Sequence, residues 1–291
     1  MKKLGSEALL LLTAIIWGFA FVAQRKGMES LDPMLFNGLR FALGALVVGL
    51  FIKKPEASQT KTPFPWMLSI VLFLAASFQQ IGLIWTTAGS AGFITGLYVV
   101  FVPIIGIFRK QHISKTILIA IILSVAGLYF INSKQAISAS FGNFLVLISA
   151  VFFAWHVQLV DKHTREGDTL TLSFYQYGFT ALASLLAAFI WNFFKSPTLC
   201  IGGFPCYSVR QALLPILYCG ILSVGVAYTL QVHAQKKVPP AAATVILCLE
   251  GAFGMLGGWL LLNEQLTFSI LLGATLLFVA MLVSIYSKFS K

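Results

Sequence analysis

The chain has 291 residues, 58% of them hydrophobic and 10% charged, with a mean hydropathy of +0.90; a water-soluble domain carries roughly 25% charged residues, so a soluble fold is excluded. A formal net charge of +11 would point to nucleic acid if the basic residues were clustered. They stand instead in short stretches between apolar runs, the distribution of a membrane topology signal.

Crossing a hydrocarbon core of roughly 30 Å takes about 20 apolar residues, and the chain supplies such runs almost end to end. Gly, Pro and charge clusters mark a first set of spans over 5–24, 33–52, 65–86, 90–108 and 115–131. The opening Met1-Lys2-Lys3 with Ala23 downstream has the look of a signal peptide, but the segment also matches a later span residue for residue and is read as a span. A second set follows over 141–160, 169–194, 210–234, 239–262 and 266–286. The expected organisation is all-α and integral to the membrane: ten transmembrane helices, with one unit over 1–132, a linker over 133–140, a second unit over 141–287 and a tail over 288–291.

Basic residues accumulate in alternate loops. Lys2, Lys3, Lys53, Lys54, Lys61, Arg109, Lys110, Lys115, Lys162, Arg165, Lys236, Lys237, Lys288 and Lys291 fall on one side, against Arg25, Lys26, Lys134, Lys195 and Arg210 on the other. The richer side is cytoplasmic by the positive-inside rule, which places both termini in the cytoplasm. Cys219 and Cys248 lie within spans and read as small apolar residues. Cys200 and Cys206 share the longest outer loop, where a disulfide is an option in an oxidising compartment.

The halves resemble each other. Leu12-Thr13-Ala14-Ile15-Ile16-Trp17-Gly18-Phe19 aligns with Ile148-Ser149-Ala150-Val151-Phe152-Phe153-Ala154-Trp155 at a separation of 136 residues, and the same shift sets Asn37 on Ser173 and Arg40 on Gln176. Ile113-Ser114 aligns with Leu266-Thr267 in the same way. Because five spans is an odd number, the second copy enters from the opposite face. Two inverted copies can exchange conformations, which is the basis of alternating access, with the substrate near the midplane.

The stretch TTAGSAGFITGLYVVFVPI from Thr86 to Ile104 and LEGAFGMLGGWLLLNEQLT from Leu249 to Thr267 resemble the EamA family of the drug/metabolite transporter superfamily. The resemblance implies ten-helix permeases of amino acids, nucleotides, sugars and other metabolites, with a cavity between two five-helix halves. Here the ninth span reads Glu250-Gly251 where that family more typically has Glu-Pro, leaving a bendable backbone without the donor that Pro removes.

Charge at membrane depth costs roughly 2.5 to 3.5 kcal/mol on insertion scales and marks function by default. Arg40 lies about seven residues inside the second span, roughly 10 Å deep, and Glu250 about twelve residues inside the ninth, roughly 18 Å. Long side chains from these depths can share one cavity. Matching the fourth span to the ninth sets Val102 opposite Glu250, so neither charge is duplicated. Two readings stay open: a substrate or proton role, and an ion pair that only locks helices together.

Trp17, Gln79, Tyr98, Trp155, His156, Tyr228 and Gln231 complete the candidate set. Trp17 and Tyr98 count out near the midplane, where an indole or phenol needs a polar partner or a wet cavity. Gln79 is favoured over Gln80 by the family resemblance, and His156 can titrate or serve as an interhelical donor. GxxxG spacing at Gly92 and Gly96 and at Gly254 and Gly258 predicts close packing of spans four and nine, and Pro103 predicts a kink in span four. No metal-ligand spacing, nucleophile elbow or phosphate loop is present, which argues against an enzyme and against a cofactor. The expected activity is carriage, by export, of a small metabolite such as an amino acid across a bacterial inner membrane, with proton coupling through Glu250. The expected partners are that substrate and the lipid bilayer, not nucleic acid, and the expected assembly is a monomer or homodimer. A lipid flippase or a non-transporting sensor is the alternative.

Overall fold

Away from water every backbone N–H and C=O needs a partner within the chain, and among the described residues all regular structure is helical. The architecture comes from a computed structural model that describes residues 5–52, 62–132, 141–165, 167–195, 206–262 and 267–286. The linker, the C-terminal tail, Cys200 and Glu264 lie outside the described residues.

Each of the anticipated spans holds helix. In order these are α1 (Ser6–Met28), α2 (Pro33–Gly49), α3 (Trp66–Gly82), the consecutive α4 (Ala88–Gly96) and α5 (Tyr98–Phe108), α6 (Lys115–Asn132), α7 (Phe141–His163) and α8 (Thr169–Lys195). The short α9 (Cys206–Gln211) leads into α10 (Leu213–Leu217), a π-helical stretch (Tyr218–Tyr228) and α11 (Thr229–Ala234); α12 (Pro240–Leu247), α13 (Leu249–Leu262) and α14 (Phe268–Tyr286) complete the chain. By length and composition 7 of these segments can cross a membrane, and α2, α3 and α6 are shorter apolar helices. Local signals fix the starts: Asp32 accepts from the N–H groups of Met34 and Leu35 ahead of Pro33, and Thr87 caps α4 through Ser90 N. One boundary differs in substance. α1 runs on to Met28, so Arg25 and Lys26 belong to its last turn rather than to a loop, and Arg25 donates to the Thr86 carbonyl at 2.8 Å.

Large apolar side chains lie on the exterior, and a set of polar ones lies inside. Phe108, Ile122 and Leu214 project outward, whereas Asn37, Gln80, His156 and Gln176 are fully buried. An apolar exterior suits a lipid solvent, and the interior, although built mainly of apolar side chains, also takes in the polar ones.

The principal pairings join the first half of the chain to the second: α1 with α13, α2 with α8, α3 with α7, and α6 with α14. Small residues allow them. Gly18 backs onto Gly254, Gly82 onto Gly142, and Gly127 onto Gly273, each closely enough that an added Cβ would strike backbone. Asn37 meets Ser184 while Gly49 meets Phe174, so α2 and α8 run antiparallel. One contact occurs in duplicate: Thr13 Oγ1 donates to Ala227 O at 3.2 Å, and its sequence counterpart Ser149 Oγ donates to Ala75 O at 2.8 Å.

Candidate functional site

Two helix breaks organise the interior. α4 gives way to α5 at Leu97 and α12 to α13 at Cys248, so Tyr98 and Glu250 both lie in the first turn after a break. A break leaves carbonyls without intrahelical partners, which at membrane depth must be met by protein. Here the Cys248 thiol donates to Gly96 O at 3.3 Å, joining the two breaks. Cys248 is thus more than the small apolar filler that its sequence context suggests. Setting the two breaks on each other, Leu97 on Cys248, would place Val99 opposite Glu250, three residues from the sequence match to Val102. The interruption precedes Pro103 by nearly two turns, and the one in the ninth span needs no proline.

Glu250 and its neighbour Tyr98 are each 3% exposed. The two groups adjoin, yet neither Tyr98 Oη nor Glu250 Oε1 has a hydrogen-bond partner of good geometry within the protein. Arg40 enters from α2, 2% exposed, with Nε and Nη2 donating to Asn37 Oδ1 at 3.0 and 2.8 Å while Asn37 Nδ2 donates to Ser184 Oγ at 2.9 Å. Those bonds use two of five guanidinium donors. Arg40 and Glu250 do not approach within the 4 Å of an ion pair. The helix-locking salt bridge considered from the sequence is therefore absent, and Tyr228 stands within electrostatic reach of both groups.

Tyr228 is the hub of an aromatic cluster. Its ring lies 4.6 Å from Trp17, 6.1 Å from Phe41 and Tyr177, and 6.2 Å from His156. Trp17 Nε1 donates to Ser223 O at 3.2 Å. That carbonyl and Ala227 O belong to the π-helical stretch, a rare geometry frequent at functional sites; α1 side chains meet both.

Arg40, Glu250, Trp17, Gln79, Tyr98 and Tyr228 thus border one cavity of about 40 Å³, together with Gln24, Thr95, Phe153 and Ser223. Gln79 Nε2 donates to Thr95 Oγ1 at 3.0 Å. The other three candidates, His156, Trp155 and Gln231, do not border it, and Gln231 is buried on α11. His156 is fully buried one layer away, 2.7 Å from Gln176 Oε1 through Nε2. Trp155 turns outward and is 37% exposed, because its helix carries consecutive residues to different faces and His156 takes the inward one. Replacing Trp155 with Leu is expected to change thermal stability by no more than about 0.5 kcal/mol, and transport by the variant checks that no cavity function is lost. Gln24, Thr95 and Ser223 were missed by sequence reasoning; a glutamine inside an apolar run was a usable signal, whereas nothing announced the π-helical carbonyls.

On the face where α1 begins, the interior is closed by amides. Arg109 Nη1 donates to the backbone and side-chain oxygens of Gln158, Gln111 Nε2 donates to Gln158 Oε1 at 2.9 Å, and Gln158 Nε2 donates to Val102 O at 2.9 Å. Substituting Gln158 with Leu strands these partners and is expected to cost about 1–3 kcal/mol, read as a lower unfolding temperature in detergent. A separate cavity of about 250 Å³ opens beside this latch, bordered by His112, Lys237 and Ile246.

Comparison with known proteins agrees with this architecture. The profile of the EamA-like transporter family matches residues 5–133 and again residues 140–286. An uncharacterised transporter of Archaeoglobus fulgidus is 30% identical over 97% of this chain and 86% of its own length. The uncharacterised transporter YoaV of Bacillus subtilis is 26% identical over 90% of each chain. A probable amino-acid metabolite efflux pump of Escherichia coli is 20% identical over 96% of this chain and 94% of its own. A solved crystal structure superposes with a TM-score of 0.77 at 17% identity, covering 97% of this chain and 98% of that one.

Proposed function

Since the chain belongs to the EamA-like transporter family, we propose that it exports a small amphipathic metabolite, an amino acid or a related compound, across a bacterial inner membrane by alternating access. The observation that carries the reading is that Arg40 and Glu250, both buried and not paired with each other, border one cavity from different halves of the chain. Spare guanidinium donors suit a carboxylate, Glu250 suits an ammonium group or a proton, and Trp17 with Tyr228 forms an apolar wall. The name of the Escherichia coli relative is in keeping with such a substrate.

Ten spans arranged as two inverted five-helix repeats supply the mechanism. The reading is supported by the double match of one family profile, by the paired Thr13–Ala227 and Ser149–Ala75 bonds and by a broken helix in each half. A cavity of about 40 Å³ has room for water but not for a metabolite, since ligand pockets run to about 300 Å³ or more. Substrate therefore enters only when the halves move apart. Both termini then face the cytoplasm, as the basic loops indicate.

Purified protein in liposomes, screened for uptake and release of labelled metabolites, tests the proposal. Saturable movement of one small amphipathic compound is the expected result. If intact, folded protein moves none, the carrier reading fails in favour of lipid translocation or sensing, which a fluorescent-lipid scrambling assay on the same vesicles separates.

A further inference from the structure

Hydroxyl side chains inside the spans commonly satisfy themselves by bonding the carbonyl one turn back, as Ser124 does with Ala120 O at 2.9 Å and Thr275 with Leu271 O at 2.8 Å. Ser173 and Thr180 on α8 do not. Their oxygens are buried with no hydrogen-bond partner of good geometry within the protein, although Ser173 adjoins the Tyr177 hydroxyl, and so are Gln176 Nε2 on the same face of α8, His156 Nδ1 on α7, and Gln231 Oε1 and Gln235 Oε1 at α11. Side chains tie these three helices together. His156 meets Gln176, Tyr177 meets Thr229 at 3.2 Å, and Gln235 donates to Val157 O at 3.1 Å.

Isolated orphans are tolerated in proteins, but a row of them at helical spacing in a lipid-exposed fold is costly in every conformation that keeps it dry. We propose that the α7–α8–α11 interface is the collapsed half of the translocation path on the face where α1 begins, a binding surface that is hydrated when the Arg40–Glu250 cavity is closed. The inference rests on the alternating-access reading above. The surface starts at Tyr228, which borders the central cavity and touches His156 edge-on, and ends one turn from the start of α8. It also occupies the place that the sequence repeat assigns: the 136-residue shift sets Arg40 on Gln176 and Asn37 on Ser173. The two half-sites differ in chemistry. One offers a guanidinium and a carboxylate, whereas this one offers amides, hydroxyls and an imidazole, and so accepts the neutral hydrogen-bonding groups of the passing molecule. The larger cavity on this face is a poorer route, since it shares no lining residue with the central one and is bordered in part by apolar Ile113, Ile117 and Ile246.

Single cysteines at Ser173 and Thr180, near-isosteric replacements, test this in a full chain with Cys200→Ser and Cys206→Ser. The probe is a charged, membrane-impermeant methanethiosulfonate applied to one face of sealed vesicles at a time. The parent without an added cysteine is the blank, and Leu182→Cys on the outward face of α8, 60% exposed, is the control. Labelling of both positions from the α1-start face only, at least about tenfold faster than the Leu182 control, is expected. Labelling no faster than that control, or from the opposite face alone, overturns the proposal. Deuterium uptake by α8 in the unmodified protein gives a second reading, with amides of 169–180 expected to exchange faster than those of α6. Neither readout uses a transported compound, so a protein that moves nothing but labels as described refutes the carrier reading and leaves the hydrated surface standing.

Discussion

Substituting Glu250 with Gln is expected to lower the rate of substrate transport in proteoliposomes by about 10- to 100-fold, the equivalent of losing a charge-assisted hydrogen bond of about 1.5–3 kcal/mol, while the folded protein is retained. The amide keeps the size and shape of the side chain but can neither neutralise a cation nor carry a proton. Stability should move the other way, if at all. A buried carboxylate without a cationic partner does not hold the fold together, and replacing such groups with neutral ones is often neutral or stabilising. An unfolding temperature in detergent equal to or above that of the parent, together with lost transport, separates a functional acid from a structural one. Parental transport by the Gln variant would remove Glu250 from the mechanism.

The largest stability effect is expected at Gly273. A Cβ there would strike Gly127 O and stand 2.7 Å from Ile131 N, both backbone atoms of α6 that no rotamer change can clear. Gly273→Val forces α6 and α14 apart along the contact that joins the last helices of the two halves. Overpacking costs about 1–3 kcal/mol, and the upper end applies, so the unfolding temperature should fall by roughly 5–10 °C. Gly178 on α8 is the internal comparison, because nothing lies within 4 Å of its would-be Cβ. Gly178→Ala should leave stability unchanged or raise it by up to about 1 kcal/mol through helix propensity. Equal losses at both glycines would show that the α6–α14 contact is not close in the membrane.

The site was legible in part, and the division follows from chemistry. Arg40 and Glu250 stood out because charge inside an apolar run is rarely retained without use, Trp17 and Tyr98 because a polar tip at depth needs a partner, Gln79 through the family resemblance, and Tyr228 as an aromatic side chain within a span. All six border the cavity. Trp155 and His156 are neighbours in sequence, and composition could not say which of them points inward; the packing of α7 did, by giving His156 to Gln176 and Trp155 to the exterior. Thr95 and Ser223 were invisible because one is an ordinary threonine in sequence and the other contributes a backbone carbonyl.

That this protein is helical, roughly where its apolar segments lie along the chain, and that its two halves share a pattern can all be read from the residues alone. Those properties depend on local hydrophobicity, on caps such as Asp32 and on breakers such as Pro33 and Pro240, all of which act within a few residues. Packing, by contrast, sets Glu250 beside Tyr98 rather than in a pair with Arg40, puts the Cys248 thiol on Gly96 O, and winds the eleven-residue stretch from Tyr218 to Tyr228 as a π-helix facing α1. Each of these is settled by contacts between segments far apart in the chain, where one residue of register changes which side chain faces inward, and that register is fixed by packing of small residues such as Gly18 against Gly254.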